Sequence, residues 1–240
     1  MNSVAIKENK INISEIFYSI QGEGFLSGVP SVFIRISGCP LRCKFCDTGY
    51  AANPKAGKKL TISQIVKQVK QYPTKYIVIT GGEPFVCPNL PQLCKALKKH
   101  HITIETAGIK FVPGLKCDLM SISPKLSNAY SKPSDKNLYL KIDELKKLIK
   151  NYDYQLKFVI EKASDIKELN KVLKDMTAWA KAHPTIAKAP DRSKIMLMPQ
   201  ARNIFEYLKR SKLVSEMCKK YGFAFSQRLH IMLWGNEKGR

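Results

Sequence analysis

The chain has 240 residues, with 41 Lys and Arg against 19 Asp and Glu and a formal net charge of +22. Hydrophobic residues make up 44% and charged residues 25%, which are ordinary globular values and exclude intrinsic disorder. No apolar run approaches the ~18 residues of a membrane helix, and the first ten residues lack the apolar stretch of a signal peptide. We therefore expect a cytoplasmic protein of one domain over residues 1–240 that does not associate with a membrane.

The excess of positive charge is mainly lysine. Lysine supplies 34 of the 41 basic residues and arginine only seven, whereas arginine is favoured for bidentate recognition of phosphate. The sequence also has no arginine-rich arm or tail. We therefore expect a solvated lysine-rich surface and no direct contact with nucleic acid.

Short apolar runs alternate with amphipathic helices along the chain. Strands are predicted at residues 31–37, 76–80, 102–106, 116–122, 156–160, 195–198 and 222–226. Helices are predicted at residues 62–71, 89–100, 141–150, 164–182 and 203–220, and surface loops at 127–137 and 183–193. The helix at 164–182 is predicted to begin with a Ser164 cap. This alternation predicts an α/β fold with parallel strands and flanking helices, either an open sheet or an incomplete TIM-type barrel.

Residue types that carry chemistry follow the predicted strands. Three cysteines follow the first strand, a Gly-Gly-Glu-Pro turn follows the second, and Glu105 closes the third. Ser123 and Gln200 follow two later strands. Active sites of parallel α/β folds lie at the carboxyl ends of the strands. We therefore expect these segments to meet at one edge of the sheet.

Cys39, Cys43 and Cys46 form a C-x3-C-x2-C loop of eight residues. In a reducing compartment, such a cluster indicates metal ligands or redox groups and not a disulfide framework. Three thiolates suit a 4Fe–4S cluster that leaves its fourth iron open to an outside ligand. The alternative is a closed Cys3His zinc site, with His230 or His101 as the fourth ligand.

The other four cysteines are isolated in the sequence, and we expect them to be small buried hydrophobic residues. They are Cys87, Cys94, Cys117 and Cys218.

The cysteine loop, Phe45 directly before its last cysteine, and Gly-Gly-Glu-Pro at residues 81–84 together resemble the radical S-adenosylmethionine (SAM) superfamily. The resemblance implies that SAM chelates the open iron through its amine and carboxylate. The reduced cluster would then cleave SAM to a 5′-deoxyadenosyl radical that abstracts a hydrogen atom. Gly81 and Gly82 let the backbone approach the SAM amine closely, and Glu83 is expected to bond that ammonium.

Further motifs narrow the resemblance to one family. They are Gln-Gly-Glu-Gly at residues 21–24, Asp-Thr at 47–48, Glu-Thr-Ala-Gly at 105–108, Ser-Pro-Lys at 123–125, Arg-Leu-His at 228–230 and Leu-Trp-Gly at 233–235. From about residue 13 to residue 235, the chain resembles the 7-carboxy-7-deazaguanine synthase family of the queuosine precursor pathway. That family converts 6-carboxy-5,6,7,8-tetrahydropterin into 7-carboxy-7-deazaguanine by a ring contraction that releases ammonia. It regenerates SAM as a cofactor and uses Mg2+.

The family resemblance implies roles for the matching residues. The implied metal ligands are Cys39, Cys43 and Cys46 for the cluster and Thr48 for Mg2+. The implied SAM-binding residues are Phe45, Cys46, Asp47, Gly81, Gly82, Glu83, Ser123, Pro124, Lys125 and Gln200. The implied substrate-binding residues are Ile20, Gln21, Gly22, Glu23, Arg35 and Thr80. The implied catalytic residues are Glu23, Glu105 and His230. Arg35 is expected to pair with the substrate carboxylate.

The resemblance also implies partners beyond the pterin substrate: a second copy of the chain in a homodimer, and an external electron donor of the flavodoxin type. Some family members place their terminal carboxylate at the substrate pocket, so the position of Arg240 is of interest.

Other interpretations remain open at this stage. Glu23 suits a turn, Arg35 suits a strand surface, and His230 suits a structural histidine. A radical SAM activase that installs a glycyl radical on a protein partner would share the cysteines and the Gly-Gly-Glu-Pro turn. A zinc-dependent RNA-binding module would use the positive charge and a closed Cys3His site.

Overall fold

A computed structural model describes residues 9–185 and 187–240. The prediction of no signal peptide rests on the first ten residues, most of which lie outside these ranges. Ile186, within the loop predicted at 183–193, also lies outside them. No helix of the described ranges is long and apolar enough to cross a membrane. The prediction of a single domain over residues 1–240 stays a prediction.

One sheet organises the described part of the chain. Its strands are β1 (Lys10–Ile20), β2 (Pro30–Ile36), β3 (Lys58–Thr61), β4 (Tyr76–Gly81), β5 (His101–Thr106), β6 (Leu119–Ile122), β7 (Tyr154–Ile160), β8 (Ile195–Pro199) and β9 (Ala224–Phe225). Their spatial order is β3-β1-β2-β4-β5-β6-β7-β8-β9. Every neighbouring pair from β2 to β9 is parallel. Because β3 and β9 do not pair, the sheet is open, which confirms the predicted incomplete barrel.

The helices connect these strands and cover the sheet. They are α1 (Ile62–Val69), α2 (Leu90–Ala96), α3 (Lys136–Tyr139), α4 (Ile142–Asn151), α5 (Asp165–Ala182), α6 (Ile204–Tyr221) and α7 (Leu229–Trp234). The α4 helix shows the pattern, because Leu145, Leu148 and Ile149 are buried at helical spacing. Strand β4 is apolar throughout its centre, as is typical of a strand covered on both faces.

The sequence prediction missed an antiparallel edge of the sheet. Strand β1 pairs with β2 and with β3, antiparallel in both cases. Only Ile11 and Ile13 of β1 are buried, and a register shift between Ile13 and Glu15 interrupts the alternation of apolar and polar residues. The short helix α7 was also missed.

The segment predicted as a surface loop at 127–137 is partly buried, so that prediction was wrong. It contains short 3-10 helices at Ser127–Ala129 and Pro133–Asp135 and the start of α3. Ala129 and Tyr130 pack with Leu41 and Tyr139 against the cysteine loop. The segment is partly buried because it packs against one side of the cysteine loop that follows β2.

The four isolated cysteines carry free thiols. Cys94 and Cys218 are buried, as predicted. Cys87 and Cys117 are half-buried and pack against the core, so the prediction of burial was too strong for these two.

Helix α5 does not begin with the predicted Ser164 cap. Ser164 has helical backbone angles, and its side chain makes no capping hydrogen bond. The buried carboxylate of Asp165 instead accepts hydrogen bonds from the backbone N–H groups of Glu161 and Lys162, at 2.8 and 3.1 Å. It also accepts one from the Asn128 amide at 2.8 Å, so Asp165 ties the end of β7 to the 127–137 segment.

Replacing Asp165 is therefore expected to destabilise the fold. Asp165→Ala leaves buried donors without a partner and should lower the free energy of unfolding by about 1–3 kcal/mol. Ser164→Ala is the matched control and should change it by less than about 0.5 kcal/mol. Urea unfolding of both variants measures the difference, and equal effects would contradict this assignment of the cap.

Candidate active site

A cavity of about 240 Å3 lies inside the open barrel. Most of the residues predicted for the site line it: Ile20, Gln21, Gly22, Glu23, Arg35, Cys39, Cys43, Phe45, Cys46, Asp47, Thr48, Thr80, Gly81, Gly82, Glu105, Ser123, Lys125 and His230. The predicted residues Glu83, Pro124 and Gln200 do not line it. The strand ends thus bring separate motifs to one chamber.

The Gln-Gly-Glu-Gly segment at residues 21–24 crosses the gap of the open sheet. The N–H of Phe25 donates to the Gln155 side chain on β7 at 2.8 Å. The N–H of Gly24 donates to the Ser226 hydroxyl after β9 at 3.1 Å. Gly24 has φ +71°, and a Cβ there would lie 2.2 Å from the Gln155 amide, so glycine is required. The segment after β1 therefore closes the cavity against the opposite side of the sheet.

The cysteine loop is held from its outer side. The backbone N–H of Arg42 donates to the Tyr139 hydroxyl at 2.9 Å, and that of Lys44 donates to the Ala129 carbonyl at 2.9 Å. Burial raises the pKa of the Cys39 thiol to about 11. Because metal ligands must be thiolates, metal binding here would release protons from these cysteines.

The three thiols do not form a closed zinc site with either histidine. Within residues 9–185 and 187–240, no three His, Cys, Asp or Glu side chains converge on a point that suits a single metal ion. His101 begins β5 and its ring lies tilted against that of Tyr76, at the amino ends of the strands. His230 faces Glu23. A 4Fe–4S cluster fits this loop better, because each thiolate would bind a different iron and all three cysteines line the cavity.

The glycine pair after β4 packs directly on the start of the cysteine loop. A Cβ on Gly82 would lie 2.1 Å from the Gly38 carbonyl oxygen, and Gly81 has φ +135°. The N–H groups of Gly82 and Glu83 donate to the carbonyls of Ile36 and Gly38, at 2.9 and 2.8 Å. This turn therefore offers backbone carbonyl oxygens, not N–H groups, to an ammonium ligand.

The carboxylate of Glu83 is buried and is used within the protein. It accepts hydrogen bonds from the Thr106 hydroxyl at 2.7 Å, from the Ala107 N–H at 2.8 Å and from the Phe85 N–H at 3.2 Å. Burial nevertheless raises its pKa. A bond from Glu83 to the SAM ammonium stays a prediction.

Of two segments that follow later strands, the one after β6 lies at the cavity and the one after β8 lies in the protein interior. Lys125 and Ser123 line the cavity, and the Lys125 ammonium donates to the Ser123 hydroxyl at 2.8 Å. Gln200 is buried, and its carbonyl accepts a hydrogen bond from Arg210 at 3.1 Å. The predicted contact of Gln200 with SAM stays a prediction, as does that of Pro124.

Four charged side chains on the cavity wall form one ionic network, in which Lys157 and Arg228 are buried and Glu23 and Asp47 are half-buried. Glu23 Oε2 lies 2.7 Å from Lys157 Nζ, and Glu23 Oε1 lies 3.2 Å from Arg228 Nε. Arg228 also pairs with Asp47 beside the last cysteine and donates to the Ala201 carbonyl. Burial alone would raise the pKa of Glu23, but the charges of Lys157 and Arg228 outweigh burial and lower it well below its usual range. The network joins the segment after β1 to the cysteine loop.

Glu105 extends this network toward β4. Its carboxylate accepts hydrogen bonds from the Thr80 hydroxyl at 2.9 Å and from the Gln21 amide at 3.2 Å. Lys157 Nζ lies 3.7 Å from Glu105 Oε1. The pKa of Lys157 is raised, because its two carboxylate partners outweigh its burial.

His230 lies on α7 against the closing segment. Its Nε2 is 4.0 Å from Glu23 Oε1, and a Cβ on Gly22 would lie 2.2 Å from its Nδ1. Burial lowers the pKa of His230 below its ordinary value of 6.5, so the ring is neutral at pH 7. A neutral imidazole here both donates and accepts a hydrogen bond.

Arg35 is held by its neighbours on the cavity wall. Its Nε lies 2.6 Å from Glu15 Oε1, and Glu15 also accepts a hydrogen bond from the Tyr50 hydroxyl. The guanidinium lies over the Phe17 ring at 5.5 Å. Among the described residues, no protein group bonds its two terminal nitrogens, so that end of the fork is available to a ligand.

Sequence reasoning missed several residues of this site. Lys157, Ser121 and Met198 line the cavity. The tail at 236–240 also lines it, which places Arg240, whose position the sequence left open, at the cavity. Arg228 was noticed only as part of a motif. The detectable signal was Lys157, a lysine between the apolar residues Leu156 and Phe158 of a predicted strand.

Removing the charge of Glu23 is expected to destabilise the protein. Glu23→Gln leaves Lys157 and Arg228 without their shared carboxylate and should lower the free energy of unfolding at pH 7 by roughly 3 kcal/mol. Glu216→Gln is the control, because its pair with Lys219 is exposed on α6 and contributes little. Urea unfolding measures both, and a Glu23→Gln effect as small as that of the control would contradict the network.

Comparison with known proteins agrees with this geometry. A family model for the Radical SAM superfamily matches residues 33–155. A 7-carboxy-7-deazaguanine synthase from Rhodopirellula baltica is 35% identical, over 97% of this chain and 90% of that protein. One from Halobacterium salinarum is 32% identical, over 93% of this chain and 90% of that protein. The crystal structure of QueE from Escherichia coli has a similar fold, with a TM-score of 0.66 at 24% identity, and covers 92% of this chain and 95% of that chain.

The family model spans just over half of the chain, and the two relatives align with nearly all of it. The chain therefore belongs to the 7-carboxy-7-deazaguanine synthase family of the radical SAM superfamily.

Proposed function

We propose that this chain is a 7-carboxy-7-deazaguanine synthase that converts 6-carboxy-5,6,7,8-tetrahydropterin into 7-carboxy-7-deazaguanine with loss of ammonia. The observation that carries the proposal is that the cysteine loop and the polar Gln21, Glu23 and Glu105 side chains line the same cavity. Membership of the family supports the same assignment.

The cofactor half of the cavity begins at the cysteine loop. Cys39, Cys43 and Cys46 would hold the cluster, and the carbonyls of Gly81 and Gly82 would receive the SAM ammonium. When bound, the cluster and SAM supply the radical chemistry that takes a hydrogen atom from the substrate. Every other task falls to the residues of the chain.

Residues around the cysteine loop orient SAM in this proposal. Phe45 supplies an apolar wall, and Asp47 is fixed by Arg228, which limits its motion. Ser123 and Lys125 hold the polar groups of SAM and are already bonded to each other. Because Arg228 also binds Glu23, the SAM side and the substrate side are held at a fixed separation.

The substrate half reads the pterin edge. That edge presents amide and amino N–H groups, and the carboxylates of Glu23 and Glu105 are acceptors that suit them. Thr80 holds Glu105 in place. The neutral ring of His230 lies beside Glu23 and is able to hold or pass a proton at the substrate.

Arg35 and Thr48 on the cavity wall are assigned to the substrate carboxylate and to Mg2+. The terminal nitrogens of Arg35 would pair with the carboxylate, with the guanidinium pre-oriented by Glu15. Thr48 lines the cavity 3.8 Å from the Cys46 sulfur, and its hydroxyl would bind Mg2+. A hard cation prefers such an oxygen ligand together with the substrate carboxylate and water.

Partners complete the proposal. The radical step needs one electron, which an external donor of the flavodoxin type would supply to the cluster. The chain acts as a homodimer, and its location is the cytoplasm. The substrate is a free pterin, so the enzyme needs no direct contact with nucleic acid or with a membrane.

Anaerobic turnover tests this function. Incubation with dithionite, SAM, Mg2+ and 6-carboxy-5,6,7,8-tetrahydropterin should yield 7-carboxy-7-deazaguanine, detected by mass spectrometry. Cys43→Ala should lose both the brown chromophore and the product, because one iron loses its ligand. Cys87→Ala is the control and should keep both, since Cys87 lies outside the cavity.

Two outcomes would contradict the proposal. A colourless protein that holds a single zinc ion would exclude the radical enzyme. SAM cleavage by an intact cluster, without the deazaguanine product, would favour the glycyl-radical activase.

The role of Arg35 gives a further prediction. Arg35→Gln removes the charge that pairs with the substrate carboxylate and should raise KM for the pterin by roughly tenfold or more. Arg192→Gln is the control, because Arg192 also lies over an aromatic ring, Phe223, but lies outside the cavity. Steady-state kinetics measure both, and an unchanged KM in Arg35→Gln would refute the pairing.

A further inference from the structure

Lys157 is a buried cation to which no role has yet been given. It lies in the middle of β7, where every residue is buried, and its side chain is 3% exposed. Its ammonium nevertheless lines the cavity. Lysine is almost never buried to this extent without a partner, because the loss of hydration is costly.

The Lys157 ammonium joins two carboxylates that come from distant parts of the sheet. Glu23 follows β1 and lies 2.7 Å away, and Glu105 lies on β5 at 3.7 Å. The two carboxylates differ in the number of cations that they pair with. Glu23 has a second cation, Arg228, at 3.2 Å. Among the described residues, Lys157 is the only cation within ion-pair distance of Glu105.

Uncharged partners of Glu105 do not replace that cation. Gln21 and Thr80 donate hydrogen bonds to it, but neither carries charge. The remaining titratable groups that act on this cluster are Arg228, Asp47 and His230, and the histidine is neutral. Among the described residues, removal of Lys157 would leave Arg228 as the only positively charged partner of the two carboxylates.

We propose that Lys157 is a positioning residue that holds the Glu23 and Glu105 carboxylates side by side on the cavity wall, where the pair accepts hydrogen bonds from the N–H groups of the substrate's amino-pyrimidinone edge. This inference rests on the proposed function, since it takes the pterin as the ligand. It assigns recognition of that edge to a carboxylate pair that depends on one lysine. SAM would bind on the side of the cysteine loop, and its binding should not depend on Lys157.

Binding measurements with loaded, anaerobic enzyme test the role. Lys157→Met keeps the length and apolar body of the side chain but removes the charge. It should weaken binding of 6-carboxy-5,6,7,8-tetrahydropterin by roughly ten- to a hundredfold, the effect of losing hydrogen bonds to charged groups. The dissociation constant of SAM should stay unchanged. Lys157→Arg keeps the charge and should recover part of the pterin affinity.

A pH profile separates this role from a merely structural one. Removing the cation raises the pKa of Glu23, which Lys157 helps to lower, so Lys157→Met should bind pterin progressively worse as pH falls and approach the wild type as pH rises. Glu105→Gln combined with Lys157→Met should lose little more affinity than the worse single variant, because both changes disrupt one unit. Additive losses would overturn the proposal.

Other results would also overturn it. They are wild-type pterin affinity in Lys157→Met, or an equal loss of SAM and pterin affinity with no change in the pH profile. If Lys157→Met does not fold, Lys157→Gln and Lys157→Arg take its place. The proposal requires Lys157→Arg to bind pterin more tightly than Lys157→Gln at pH 7, with a difference in affinity that decreases at higher pH. Equal pterin affinities of these two variants refute it. Failure of the proposed function is seen separately, as a wild-type enzyme that forms no deazaguanine.

Discussion

Two positive charges, Lys157 and Arg228, lie where packed strands exclude water, and their neutralisation determines how the cavity is built. Buried cations require carboxylates at close range, because burial removes their hydration. Glu23 satisfies both cations, and Asp47 satisfies Arg228 a second time. These carboxylates come from the segment after β1 and from the cysteine loop. The same ion pairs therefore hold together the part of the chain suited to a substrate and the part suited to an iron–sulfur cluster.

The open sheet makes this arrangement both possible and necessary. Parallel pairing from β2 to β9 brings several loops to one edge, but an incomplete barrel leaves a gap beside the cavity. Residues 21–25 cross that gap and bond to β7 and to the segment after β9. The antiparallel direction of β1 delivers them there. Gly24 allows the close approach to Gln155 that a larger residue would prevent.

Much of the fold was predictable because its signals are local. The apolar runs of β4 and β8 and the periodicity of α4 each lie within one short segment, so pattern and structure agree. The C-x3-C-x2-C spacing likewise identified the cysteine loop. Strand β1 was missed because only Ile11 and Ile13 are buried and a register shift breaks its alternation. The Ser164 cap was wrong because the neighbouring Asp165 reaches more donors.

The sequence by itself determined the strand and helix alternation, the cysteine spacing and the family motifs, since each is set by residues that are close along the chain. Only the tertiary structure decided which charges meet. Lys157 and Glu23 are 134 residues apart, and Arg228 and Glu23 are 205 apart. No local pattern relates such residues, and a lysine on a strand gives no sign of its partner. Their proximity follows from strand order and from the segment that closes the barrel, which is why the ionic network emerges only when the chain is folded.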